Sequence, residues 1–211
     1  MVSQVREAEK RQRRPRNRRG QGARLRDELI QAARQLLMTA ERESDLSIRA
    51  VTRAAGAAPQ SFYLQFADLD ELLYAVYALE FEDLRETLTR AADSADGPTA
   101  RLLAVSRAYC DFAQAHPGRY RLLTSVTGQA HDTWRGEGRS LPGAPAFVML
   151  QETVTAALTA NAVSTDPFLA ASTLWACLHG IATLRAARPA FAWPPLDDML
   201  RGLIRQLLRS S

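Results

Sequence analysis

Residues Ser47–Phe66, SIRAVTRAAGAAPQSFYLQF, decide the fold of this chain. Ile48, Val51, Ala54 and Ala55 recur at helical spacing, and Gly56 follows where a helix closes in a left-handed residue that glycine adopts without strain. A helix therefore stops there. Pro59, with its fixed φ and missing N–H, suits the first turn of a second helix, for which Phe62, Leu64 and Phe66 supply buried contacts.

Two short helices joined by a turn of three or four residues around a glycine form a helix-turn-helix, whose second helix has the size to enter a DNA major groove. On that helix Gln60 and Ser61 occupy the first turn, where side chains reach base edges, while Tyr63 and Gln65 reach flanking phosphate oxygens. Ser47 precedes the first helix of the pair as a hydroxyl cap, its backbone free to meet a phosphate. Arg49 points outward from the first turn, ready for phosphate or a base edge. A helical hairpin of no special function is the plain alternative for such a segment.

The surrounding residues narrow that choice. From Leu25 to about Leu79 the chain resembles the DNA-binding domain of the tetracycline repressor (TetR/AcrR-like) family. The likeness rests on a leading helix LRDELIQAARQLL, the pair just described, and FADLDELLYAVYALEF opening a fourth helix. Phe62-Tyr63 followed by Phe66, an acidic N-cap and Leu72 is its most specific part. With the residue reading, the resemblance implies a DNA-contact set of Ser47, Ile48, Arg49, Ala58, Pro59, Gln60, Ser61, Tyr63, Leu64 and Gln65. The chain departs from the family pattern at Ala58, often a serine cap, at Leu64-Gln65, usually an aromatic and a histidine, and at Leu69, commonly a lysine.

Charge is distributed unevenly. The formal net charge is +4 over 211 residues, yet residues 1–26 hold ten Arg or Lys against Glu7 and Glu9, so the remainder is net −4. Residues 1–22 read as a disordered basic arm: KRQRRPRNRRGQGAR, Lys10–Arg24, has almost no apolar residue, a helix breaker at Pro15, and glycines at 20 and 22. Such arms follow phosphates or enter the minor groove. No apolar segment follows the paired arginines, and none approaches the roughly 18 apolar residues of a membrane span. A cytoplasmic protein with no membrane partner is expected.

The first helix should run from about Ala23 to Ala40, placing Leu25, Leu29, Ala32, Ala33, Leu36, Leu37 and Ala40 on one face with Arg26, Asp27, Arg34 and Gln35 outside, and Leu46 should close the small core. Asp68 and Glu71 read as a capping box opening a long fourth helix, with a DNA-binding domain over 23–82. A helical domain follows over 83–211. Its helices should cover Thr99–Ala115, Tyr120–Thr127, Phe147–Ala162, a stretch capped by Asp166 and opened by Pro167 that runs to about Ala187, and a last one carrying Leu196, Met199, Leu200, Leu203, Ile204, Leu207 and Leu208. Gly128–Pro145 suits a mobile flap. The expected architecture is all-α, with about nine helices.

The last two helices carry more apolar face than a small bundle needs, so a homodimer through them is expected. Trp175–Gly180 and Ala108–Leu123 resemble a C-terminal class of this family named for Trp-His-Gly. Tyr109, Phe112, Tyr120, Trp134, Phe147, Trp175 and His179 could line a cavity there, and the resemblance implies a small-molecule effector that alters the separation of two DNA-reading heads. The three histidines, His116, His131 and His179, lie on separate segments without metal-ligand spacing, and no phosphate-cradling or nucleophile motif is present. Neither cofactor nor metal is expected, and Cys110 and Cys177 read as small buried apolar residues, with a thiol sensor pair as the alternative. The combined expectation is a ligand-responsive homodimeric repressor on a palindromic operator, not an enzyme.

Overall fold

In the computed structural model, residues 21–39, 45–125, 134, 136 and 138–209 are described. Nearly all of the expected basic arm, His131 and part of the expected flap lie outside them. Nine helices occur among the described residues, with no strand: α1 Gln21–Thr39, α2 Ile48–Ala54, α3 Pro59–Phe62, α4 Leu69–Asp93, α5 Pro98–Ala115, α6 Pro117–Ser125, α7 Ala144–Ala160, α8 Pro167–Ala187 and α9 Leu196–Leu207. α1 begins earlier than periodicity suggested, so Gly22 is helical. Proline opens five helices, α3, α5, α6, α7 and α8, at or beside their first residue, where its missing N–H costs nothing.

Two apolar cores share α4. The first gathers Leu29, Ala33 and Leu37 of α1 with Leu46, Val51, Phe62, Phe66, Leu72, Val76 and Tyr77. The second gathers Leu84 and Leu88 of α4 with Leu102, Val105, Leu150, Val154, Leu174, Leu178, Leu200 and Ile204. Each buried leucine, isoleucine, valine or phenylalanine among them contributes about 1.5–3 kcal/mol by leaving water. With 25 residues, α4 is roughly 37 Å long, so one rigid element carries both cores.

Asp68 caps α4 through its carboxylate, which accepts from Glu71 N at 2.8 Å, but Glu71 reaches back to Ala67 N at 2.7 Å. The expected capping box is thus shifted one residue outward on its return bond. Trp134 is fully buried against α4, its ring centroid 5.3 Å from Tyr74 and 5.8 Å from Tyr77. Tyr74 also donates to Ser140 O at 3.0 Å. The described part of the expected flap is therefore pinned to the first core.

Arg34 departs from the outward position expected of it. It pairs with Glu80, which is 0% exposed on the inner face of α4, and with Asp83 at 3.3 Å. Arg119 of α6 donates to the other Glu80 oxygen at 2.7 Å and also meets Asp83. Two guanidiniums and two carboxylates thereby join α1, α4 and α6. Glu80 follows Val76 by four residues and precedes Leu84 by four, a spacing that places it among core residues.

α8 also differs from expectation, being long and apolar enough by length and composition to cross a membrane. Ser172, Thr173, His179 and Thr183 interrupt its apolar run in sequence, which hid the helix's total. Its inner face, Ala170, Ala171, Leu174 and Leu178, packs into the second core against α5 and α7. Its other faces remain open, with Leu169, Trp175 and Leu184 each half-exposed or more.

Candidate nucleic-acid interface and the bundle cavity

Local chemistry builds the helix-turn-helix. Ser47 has extended backbone, and its hydroxyl accepts from Ala50 N at 3.2 Å, capping α2. At the other end Gly56 takes φ +63°, Gly56 N donates to Arg53 O, and Ala57 N donates to Thr52 O at 2.8 Å. These two bonds form a Schellman closure. Thr52 and Val51 face inward; Ala54, expected on the buried face, is exposed.

α3 is shorter than expected, four residues followed by a turn over 63–65. Its cap position is Ala58, which has no side-chain oxygen to satisfy the first N–H groups. What fixes α3 is packing. Phe62 and Phe66 are buried with ring centroids 5.6 Å apart, and the Arg26 guanidinium from α1 lies 4.7 Å over the Phe66 ring.

With those rings inside, the polar edge faces out. Ala58, Pro59 and Gln60 are exposed, Tyr63 is 62% exposed, and Ser61 and Gln65 are half-buried. Leu64, read from sequence as a buried contact as well as a DNA contact, is 72% exposed, so it does not belong to the core. Ser47 and Arg49 are exposed beside this edge, and Ile48 is half-buried. Arg53, one turn after Arg49, is exposed as well; its i, i+4 spacing from Arg49 was the available signal.

A cavity of about 810 Å³ opens among α5, α6, α8 and the segment before α9. Cys110, Ala113, Pro117, Ile181, Ala182, Trp193 and Leu196 supply apolar wall; Gln114, Tyr120, Arg121, Thr124, His179, Thr183 and Arg185 supply polar groups. Of the seven aromatic and polar residues expected in a pocket, the structure joins three. Tyr109 and Tyr120 hydroxyls lie 3.2 Å apart, and Tyr120 Oη is 2.7 Å from His179 Nδ1. Only Tyr120 and His179 line the cavity itself.

The other four are elsewhere. Phe112 is buried under the Arg119 guanidinium, Trp134 belongs to the first core, and Phe147 packs against Phe168 and Trp175. Trp175, expected in the pocket, is instead 50% exposed on the open face of α8, because which side each ring faces depends on helix rotation. Burial pushes the Tyr109 and Tyr120 hydroxyls above their ordinary range, leaving them neutral donors and acceptors. Burial likewise pushes the Cys110 thiol up to about 11. Among the described residues no group of His, Cys, Asp or Glu could hold a metal ion.

Residues 102–207, half of the chain, match the model of a tetracyclin repressor-like C-terminal domain. An HTH-type transcriptional regulator of Haemophilus influenzae, itself uncharacterized, is 34% identical over 113 residues, 50% of this chain and 53% of that protein. An HTH-type transcriptional regulator of Mycobacterium bovis is 34% identical over 80 residues, 37% of this chain and 34% of that protein. The chain thus spans about half or less of these relatives' length. A solved structure of a protein of unknown function from Rhodococcus sp. RHA1 superposes with TM-score 0.67 at 27% identity, covering 88% of this chain and 94% of that one. The match over half the chain makes it a member of the tetracycline repressor-like family, a family of transcriptional regulators and not of enzymes.

Proposed function

We propose that this protein is a cytoplasmic homodimeric repressor that binds a palindromic operator and is released by a small apolar or amphipathic effector. The reading rests on one observation above others: Phe62 and Phe66 are buried while Gln60, Tyr63 and Gln65 of the same short element remain accessible. Packing thus presents a polar edge outward on a rigid base. Gln60 and Ser61 read base edges; Ser47, Tyr63, Gln65 and the exposed Arg49 and Arg53 hold phosphates.

In this reading residues 23–82 form the DNA-binding unit, 83–211 the effector and dimerisation unit, and the arm over 1–22 adds sequence-independent affinity. The exposed apolar face of α8, with Trp175 50% exposed, joins α9 in a four-helix interface with a second copy. Two heads related by a two-fold axis require a two-fold site. An effector favouring a head spacing that misfits successive grooves weakens DNA binding, and DNA weakens effector binding equally.

A labelled duplex carrying the candidate operator, challenged with random competitor DNA, tests the reading. The expected result is retention of the operator complex at competitor excess. Equal competition by random DNA would reduce the protein to a basic-armed helical adaptor.

A further inference from the structure

We infer that the cavity among α5, α6 and α8 takes a small amphipath bearing one acid group, held by the guanidiniums of Arg121 and Arg185. The inference rests on the proposed effector site and names the class of molecule it accepts. Arg121 and Arg185 both line the cavity, and no Asp or Glu does. Arg34, Arg85, Arg107 and Arg119 each meet a carboxylate, whereas Arg121 and Arg185 meet none among the described residues.

Instead they bind carbonyls at the cavity's edges. Arg185 Nη1 donates to Pro194 O at 2.9 Å, and Arg121 Nη2 donates to Met38 O at 2.6 Å. A guanidinium carries five donors in a planar fork matched to a carboxylate, so each retains donors for an acid. The remaining wall is largely apolar, with Cys110 and Trp193 among its members, and suits a ring-sized hydrocarbon body. Two cations, Arg185 half-buried and Arg121 exposed, with no carboxylate paired to them among the described residues, attract an anion and disfavour an amine.

The position of Arg121 gives the acid a mechanical consequence. Met38 lies one residue from the C-terminal end of α1, where unsatisfied carbonyls make the negative pole of the helix. An acid in the cavity competes with those carbonyls for the same guanidinium. α1 packs directly on α2, so release of this tie acts on the element bearing the helix-turn-helix.

Three probes of one shape test the assignment on the full chain: 2-naphthylacetate, 2-naphthylacetamide and 2-naphthylethylamine, titrated by calorimetry against wild type and Arg121→Gln/Arg185→Gln. The acid is expected to bind about tenfold or more tighter than amide or amine, equivalent to ~1.4 kcal/mol, and the double variant should lose that preference. Arg121→Lys/Arg185→Lys, which keeps both charges, should retain most of it and guards against misfolding of the glutamine variant. Equal binding of the amide or amine, an acid preference surviving in the glutamine variant, or no binding by any probe would overturn the inference. Operator release is read separately: acid binding without release leaves this inference standing and removes the effector step of the proposed function. Release by a cavity ligand lacking an acid group does the reverse.

Discussion

Arg119 Nε on α6 donates to Glu80 Oε2 on α4 across 2.7 Å, with the Glu80 carboxylate sealed from solvent. A carboxylate so placed depends on its cations, because water cannot replace them. The same acid also receives Arg34 from α1, making it the junction between the two cores.

Removing that carboxylate should therefore destabilise the whole molecule. Glu80→Ala leaves Arg34 and Arg119 facing a part-buried void, and loss of about 3 kcal/mol is expected, the lower end for a broken buried pair because both arginines retain some exposure. Chemical denaturation measures it. An effect below about 0.5 kcal/mol, the range of an ordinary surface change, would contradict the junction role.

Gly56 offers a test of backbone conformation alone. Its φ is +63°, and an added Cβ would meet nothing within 4 Å. Gly56→Ala should thus cost about 1 kcal/mol, arising from the left-handed backbone and not from a clash. A lowered melting temperature with an unchanged helical spectrum is the expected outcome.

The acid at the start of α4 should matter by a comparable amount. Asp68→Ala removes the acceptor for Glu71 N and is expected to cost ~1 kcal/mol, whereas Asp68→Asn, which keeps an acceptor, should cost less. Thermal melts of the two variants distinguish capping from simple charge.

Cys110 links burial to pH. Burial pushes its thiol up to about 11 from the ordinary value of about 9, so the folded protein retains this proton where the unfolded chain has lost it. This contribution to stability is complete below pH 9 and declines as pH rises toward 11. Alkylation of Cys110 should accordingly be slow at neutral pH and quicken on unfolding; rapid reaction in the folded state would show the thiol to be accessible.

Much of this structure was readable in advance, and the exceptions share a cause. Ser47, Gly56, Pro59 and Asp68 act through local backbone chemistry, so their roles follow from neighbours in sequence. Phe62, Phe66 and Leu46 follow from apolar spacing. Arg34, Glu80 and Arg119 did not, because an ion network joining three helices has no local signature and each charge alone resembles surface. Leu64 misled for the complementary reason: an apolar residue on a short element has only one face to share, and Phe62 and Phe66 already occupy it. The placement of Trp134 against Tyr74 likewise depended on a long-range return of the chain.

DNA contacts can be separated by role. Gln60→Ala should relax base preference by about 1–3 kcal/mol at one position of each half-site. Tyr63→Phe, losing a phosphate partner, should weaken binding to all sequences alike. Competition titrations with single-base operator variants resolve the two patterns.

Selection of bound sequences from a random duplex pool by the full chain tests DNA reading by α3 outright. Enrichment of one motif with two-fold symmetry is expected, lost when Gln60 and Ser61 are both changed to alanine. A pool that remains random, or a motif unaffected by those changes, would contradict the claim that the outward edge of α3 reads DNA.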